Sequence, residues 1–409
     1  MNTRRSFVMA VLGAPAVLRS ATERGTMSYA EIEKILARGD VKGKLFKEDL
    51  PTPALLVDLD AFEGNVSKMV RHAKEKGRSL RPHGKTHKCP EIAKHIIKTG
   101  AAGSCTAKIS EAEVFAAHGV GGLLVTTAVV GRHKIERAVR LARKSPDIMF
   151  CVDNIKNAQD LNDAAKSAGT RLNLAVDLFV GMRTGITPGE PAVRLVEAMQ
   201  PLSSVRFAGL QAYAGQASHV VGFEERRKRS RDIMAQAVET RRLLEQKGIE
   251  CKLLTGGSTG TYNIDCDVDG ITELQPGSFM FMDVDYNRIG GQDGAVYQDF
   301  RNALTVYTTV VSKPDDRTAI VDGGLKAFST DKPFPPVSKD KPELKYAFGG
   351  DEHGKLTAEG SALALNVGDR LEFIIPHCDP TVNLYDRIYG LRGDAVETIW
   401  PIAARGMSQ

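Results

Sequence analysis

Between about residues 78 and 283 the chain alternates short β-rich runs with longer amphipathic ones, and that alternation leaves few folds open. The strand-forming runs are Ser79–His83, Gly103–Ala107, Gly122–Thr127, Ile148–Asp153, Leu172–Leu178, Val205–Tyr213, Cys251–Thr255 and Glu273–Met282. Helical periodicity is clearest in Lys134–Lys144, Asn157–Ala168, Ala192–Met199 and Glu224–Gln246, with Ala61–Lys76 ahead of the first strand. Eight βα-type units in roughly 200 residues predict an α/β fold of the (β/α)8 TIM-barrel type. A doubly wound sheet is the other arrangement of such units. Eight strands without a long interruption favour closure.

After residue 295 the texture changes. Leu304–Ser312, Thr318–Asp322 and Arg370–Ile375 are rich in Val, Ile, Thr and aromatics, with no helical period between them. They predict a mostly β second domain. Lys332–Pro342 contains four prolines and reads as an exposed loop. The expected organisation is a segment over 22–50 joining the β domain, a barrel over 51–291 and the β domain over 292–409.

The first residues read differently. A short basic start, Met1 to Arg5, precedes twelve apolar-run residues from Phe7 to Leu18, with small residues at Ser20–Ala21. This is the layout of a secretory signal, and Arg4–Arg5 within T-R-R-S-F resembles a twin-arginine signal over residues 1–21. The expected location is periplasmic; a short helix in a cytoplasmic protein is the alternative. The apolar run is too short to span a bilayer, and no other stretch is long enough, so no membrane partner is expected.

Composition removes further classes. With 42% hydrophobic and 26% charged residues the chain is globular, not disordered. A net charge of +5 without a Lys/Arg run gives no sign of a nucleic-acid partner. Six cysteines with no C-x-x-C argue against a zinc knuckle or a thioredoxin-like centre.

Barrel enzymes place their chemistry where strands end. The seventh strand run ends in T255-G256-G257-S258-T259-G260-T261. Glycines there let backbone N–H groups approach an anion; Ser258, Thr259 and Thr261 add hydroxyls, and a following helix would add partial positive charge. Without a G-K-[ST] ending it is not a Walker motif. The first strand run leads into R81-P82-H83-G84-K85-T86-H87-K88. Cationic neighbours are expected to lower the pKa of Lys85 and free its amine for Schiff-base chemistry. A lysine and a phosphate cradle on one barrel face together suggest pyridoxal phosphate. Far downstream lies P376-H377-C378-D379-P380-T381. In an extended strand His377 and Asp379 share a side, where they could hold a divalent cation with water completing the shell. Cys378 would point the other way, as a small buried hydrophobe.

Taken together, P-H-G-K-T-H-K, Y-x-G-x-x-x-H, G-G-S-T-G-T and P-H-C-D-P-T resemble the D-threonine aldolase and D-serine dehydratase family, pyridoxal-phosphate enzymes with an alanine-racemase-like barrel. The resemblance runs from about Pro51 to the C-terminus. It implies that Lys85 binds the cofactor covalently and that Arg183 lies near the cofactor ring and its phenolic oxygen. Tyr213 would pack on the ring, and Gly257, Ser258, Thr259 and Gly260 would hold the phosphate. His377 and Asp379 would bind the metal. His219 would stand near the substrate hydroxyl as acid or base. Two departures stand out: the run D177-L178-F179-V180-G181-M182-R183 has its glycine only two before the arginine, and Gln216 replaces a histidine found in some relatives.

The resemblance also implies the reaction. A D-3-hydroxy amino acid would lose its Cα–Cβ bond in the retro-aldol sense, giving glycine and an aldehyde. The alternative is a D-serine or D-threo-3-hydroxyaspartate dehydratase releasing ammonia and an oxo acid. Dehydratase members resemble His-x-Cys, a softer site suiting Zn²⁺; the His-x-Asp here suits Mn²⁺ or Mg²⁺. A pyridoxal-phosphate carrier without turnover is expected to lack the second domain, and an amino-acid racemase needs no metal. The family fold implies a homodimer.

Overall fold

A computed structural model describes residues 27–181, 183–360 and 362–409. The expected export signal at residues 1–21 lies outside the described residues.

A helix over Tyr29–Arg38 precedes strand β1 (Ala54–Asp58). Asp58 caps the next helix, Leu59–Glu75, by accepting the Ala61 N–H at 2.9 Å. Eight strands then alternate with helices: β2 (Ser79–Leu80), β3 (Ser104–Thr106), β4 (Leu123–Val125), β5 (Met149–Val152), β6 (Leu172–Asp177), β7 (Val205–Ala212), β8 (Leu254–Gly256) and β9 (Glu273–Leu274). All are parallel and run in the order β2-β9-β8-β7-β6-β5-β4-β3. A parallel bridge between His83 and Cys105 joins the two ends, giving the eight-stranded barrel. All six residues of β6 are buried, as a strand covered on both faces requires. The helices present one apolar stripe each: Ile135, Ala138, Val139 and Ala142 of Arg132–Lys144 face the strands while its arginines and lysines face water.

The second domain is a nine-stranded sheet. Its additional strands are β10 (Leu304–Asp315), β11 (Thr318–Val321), β12 (Val337–Ser338), β13 (Lys345–Phe348), β14 (Gly354–Thr357), β15 (Arg370–Ile374), β16 (Arg387–Arg392) and β17 (Ala395–Pro401). The order is β13-β14-β11-β10-β1-β16-β17, with β15 pairing to β10 and β12. One expectation needs correction here. Ala54–Asp58 was assigned to the barrel segment beginning at residue 51. It pairs instead with β10 and β16, at the centre of the second sheet. An apolar A-L-L-V run suits either buried sheet, so periodicity alone could not assign it. The helix Tyr29–Arg38 buries its Ile32 and Leu36 in one cluster with Leu56, Tyr307 and Tyr389 of that sheet and with Leu50 ahead of it.

The two parts meet just beyond the barrel. After β9 the chain reaches Asp283, whose buried carboxylate accepts the N–H groups of Tyr286 and Cys378, each at 2.9 Å. Val284 N–H donates to the Ile375 carbonyl and Asp285 N–H to that of Pro376. These bonds carry residues 375–379 of the sheet domain to the mouth of the barrel.

Candidate active site

Two adjoining cavities of about 270 and 320 Å³ open at the C-terminal ends of the barrel strands. That size is at the lower end for small-ligand pockets, on the order of 300 Å³ and above. Lys85, His83, Arg183, Tyr213 and Gln275 stand between them. The larger cavity is also lined by His219, Ser258, Thr259, His377 and Asp379. Residues from six separate stretches of sequence therefore face one space, with Gly257 and Gly260 flanking the two hydroxyl residues.

Lys85 sits on the short 3-10 turn Gly84–Thr86 that follows β2. Its Nζ lies 3.1 Å from Asp379 Oδ1, and the Thr86 hydroxyl donates to Asp379 Oδ2 at 3.3 Å. The lysine motif and the distant carboxylate are in direct contact. This corrects the expected electrostatics. Asp379 holds the Lys85 amine above the ordinary lysine range, outweighing burial. The flanking histidines do not act as cations: burial drives His83 well below its usual pKa and His87 down to about 3. His87 serves the scaffold, its ring stacked on Phe115 and its Nδ1 accepting the Cys89 N–H at 3.1 Å. Burial would raise the Asp379 carboxyl, but the ammonium of Lys85 overrides it and holds the group far below the usual range.

His377 and Asp379 do not lie on an extended strand, as the spacing suggested. His377 is extended, with φ −150° and ψ 132°, and caps the short helix Cys378–Val382, whose first turn contains Asp379. The two still converge, with His377 Nε2 3.8 Å from Asp379 Oδ2. Asp331 holds the other ring nitrogen, Nδ1, at 2.7 Å. Cys378 is buried, as expected, with its thiol facing the Met282 carbonyl. Among the described residues no cluster of three or more His, Cys, Asp or Glu could hold a metal, so the pair leaves most of a cation's shell to other donors.

His219 follows the short helix Gly215–Ser218 at the end of β7. Its Nδ1 lies 3.1 Å from Asp285 Oδ2, and Lys332 Nζ approaches the same oxygen at 2.7 Å. Burial would raise Asp285; these two contacts bring it down to about 2. Lys332 opens the proline-rich loop, yet it reaches into the cavity instead of into water. Neighbouring residues Asp331 and Lys332 thus serve the two histidines of the site, one directly and one through Asp285.

The glycine loop after β8 is closely built. Gly257 has φ +74°, and a Cβ on Gly260 would lie 2.1 Å from the Ser218 carbonyl oxygen. Only one helical turn, Tyr262–Asp265, follows. Thr261, expected as an anion donor, turns inward instead: its hydroxyl bonds Ser258 Oγ and donates to Asp265. Thr259 Oγ1 accepts the Phe279 N–H at 3.0 Å, which leaves its own proton for a ligand. Arg183 lies over the Tyr213 ring at 4.9 Å. Gln216 donates to the Val180 carbonyl, while its buried Oε1 has no hydrogen-bond partner. An amine, a hydroxyl-bearing anion cradle, an aromatic face and an open acceptor fit pyridoxal phosphate.

Sequence reasoning missed Asp285, Lys332, Asp331 and Arg226, the last of which lies behind the glycine loop. For Arg226 a signal existed. It continues the buried stripe Ser230, Ile233, Ala237 and Leu244 of its helix by one turn. For the other three no period is there to read: Asp331 and Lys332 lie in a loop, and Asp285 in the one-turn helix Val284–Asn287.

Comparison with known proteins agrees with the geometry. The alanine racemase N-terminal domain model matches residues 57–285, and a serine dehydratase domain model matches residues 303–391. The 3-hydroxy-D-aspartate aldolase of Paracoccus denitrificans (strain Pd 1222) is 38% identical over 88% of this chain and 93% of its own. The D-threonine aldolase of an Arthrobacter species is 39% identical with the same coverage. The crystal structure of D-threonine aldolase from Filomicrobium marinum superposes with a TM-score of 0.84 at 39% identity, over 90% of this chain and all of that one. Dehydratase relatives are more distant, at 24–27% identity. On these matches the chain belongs to the D-threonine aldolase and D-serine dehydratase family, pyridoxal-phosphate enzymes on an alanine-racemase-type barrel.

Proposed function

We propose that this protein cleaves D-3-hydroxy amino acids in the retro-aldol sense, releasing glycine and an aldehyde, with pyridoxal phosphate and a divalent cation. The observation that carries this reading is the contact of Lys85 with Asp379 at 3.1 Å, beside His377. A substrate whose amino group took the place of the Lys85 amine would bring its β-hydroxyl toward the His–Asp pair. The cofactor supplies an electron sink for the carbon that loses its substituent. Lys85 would bind the cofactor, Tyr213 and Arg183 would lie at its ring, and Ser258, Thr259 and the flanking glycines would hold its phosphate. His377 and Asp379 would contribute to holding the cation, a donor pair that suits a hard ion such as Mn²⁺ or Mg²⁺. His219, its Nδ1 3.1 Å from Asp285 Oδ2, lines the cavity and would accept the β-hydroxyl proton. The aldolase reading is preferred to dehydration because the motif ends in a carboxylate and the closer relatives named above are aldolases.

The test is product analysis on purified protein with pyridoxal phosphate and Mn²⁺. D-Threonine, D-phenylserine and D-threo-3-hydroxyaspartate are offered, and glycine, aldehyde and ammonia are assayed together. Glycine with aldehyde, abolished by chelator and by Lys85→Ala, is expected. Ammonia and an oxo acid without glycine would overturn the reading. We further propose a periplasmic homodimer, exported folded with its cofactor through the twin-arginine route.

A further inference from the structure

Arg226 is an arginine without a counter-charge. It lies near the start of the helix Phe223–Gln246 and is 0% exposed. Its Nε donates to the Gly260 carbonyl at 2.8 Å, and Nη1 to those of Val220 and Ile289 at 2.9 and 2.8 Å. Its Nη2 donates to the Gly290 carbonyl at 2.7 Å. The Phe223 and Tyr297 rings stand 5.7 Å away. Every partner is a carbonyl dipole or a ring face. Asp299, the acid whose charge it feels, instead accepts the Tyr262 O–H at 3.0 Å. Among the described residues no carboxylate pairs with Arg226.

A cation removed from water is costly unless an anion compensates it. Tying a helix to a loop does not need a full charge, since neutral donors serve the same carbonyls. The place of the charge supplies the reason. Gly260 ends the Gly257–Gly260 loop, and Arg226 grips its carbonyl from the side away from the cavity. Tyr297 does the same for Thr259, donating its O–H to that carbonyl at 2.6 Å. With both oxygens drawn back, an anion beside the Ser258 and Thr259 hydroxyls does not meet their negative ends.

We propose that Arg226 is a positioning residue for the phosphate of pyridoxal phosphate: its buried charge lies behind the loop, and the phosphate dianion in front of the loop is its counter-charge. This inference rests on the cofactor reading above. It separates charge from scaffolding, because pyridoxal has the same ring and aldehyde but no phosphate. Binding of both compounds is measured by absorbance titration on apoprotein of the wild type, Arg226→Gln and Arg226→Lys. The Gln variant should lose about 10- to 100-fold in affinity for pyridoxal phosphate and less than about 3-fold for pyridoxal. The Lys variant, which keeps the charge but loses the planar fork, should retain most of the preference for the phosphorylated compound. Parallel losses for both ligands in both variants, or no loss in either, would overturn the proposal. Should the Gln variant not fold, the wild-type apoprotein decides. Inorganic phosphate should raise its Tm above that in chloride of equal ionic strength, and absence of that rise overturns the proposal. A wild type that binds no pyridoxal phosphate at all would instead overturn the cofactor reading.

Discussion

His377 shows how one residue can be fixed for one task. Asp331 occupies Nδ1 at 2.7 Å and so turns Nε2 toward Asp379. A carboxylate behind a ligating histidine fixes its tautomer and raises its basicity. Asp331→Asn should therefore weaken Mn²⁺ binding by about 10-fold, measured by metal titration, with little change in cofactor affinity. A second residue-scale expectation concerns pH. Burial beneath the glycine loop raises Asp265 to about 6, despite the Ser230 and Thr261 hydroxyls it accepts. The folded protein then holds this proton more tightly than the unfolded chain does. Between the ordinary carboxylate pKa, about 4, and about 6, stability contributed by Asp265 falls as pH rises. Asp265→Asn should flatten that part of the pH–Tm profile of the apoprotein; an unchanged slope would exclude Asp265 as its source. Neither Asp331 nor Asp265 was legible beforehand, because Asp331 acts on His377 and Asp265 meets Ser230, both far away in sequence, and the nearby Thr261 contact follows no motif. The motif residues were legible because barrel topology fixes where strand ends lead, so Lys85, Tyr213 and Ser258 could be placed on one face before any coordinates.

Among the elements, one carboxylate joins two backbone hydrogen bonds in holding the junction after β9. Asp283 accepts two buried N–H groups, from Tyr286 and Cys378. Asp283→Ala leaves both without a partner, at a cost of about 2–6 kcal/mol from ~1–3 kcal/mol each. Chemical denaturation should show the loss, and Mn²⁺ affinity should fall with it, because the same bond seats the turn carrying His377 and Asp379. The sheet domain was the less readable half. Its strands β12, β13, β14, β16 and β17 escaped notice: β13 and β14 alternate exposed charged residues with buried ones and so lack a continuous apolar run, β12 lies among prolines, and the buried residues of β16 are a short run between arginines. The barrel strands were found because they are buried on both faces and read as apolar runs. The last run illustrates the limit. Glu273–Met282 was expected as one strand, but only Glu273–Leu274 pairs, and Ser278–Met280 turns into a 3-10 helix. Gly277 and Pro276 interrupt the run and explain the break.

At the scale of the whole molecule, the export proposal has a direct check. Fractionation of the native host should find the protein in the periplasm, shortened by about 21 residues at its N-terminus, as signal cleavage requires. Full-length protein retained in the cytoplasm would reject the proposal. Folding before export suits this architecture, because the central strand β1 pairs in parallel with β16, more than three hundred residues later. The contact between Lys85 and Asp379 has a similar reach, and it carries a consequence for synthesis. A ribosome releases the lysine early and the carboxylate late. Until the distal segment arrives, a nascent chain has its amine without the neighbour that governs it, and the mouth of the barrel lacks one wall. Competence therefore comes at the end of translation: a polypeptide halted before residue 377 carries the cradle and the lysine but has no centre to switch on.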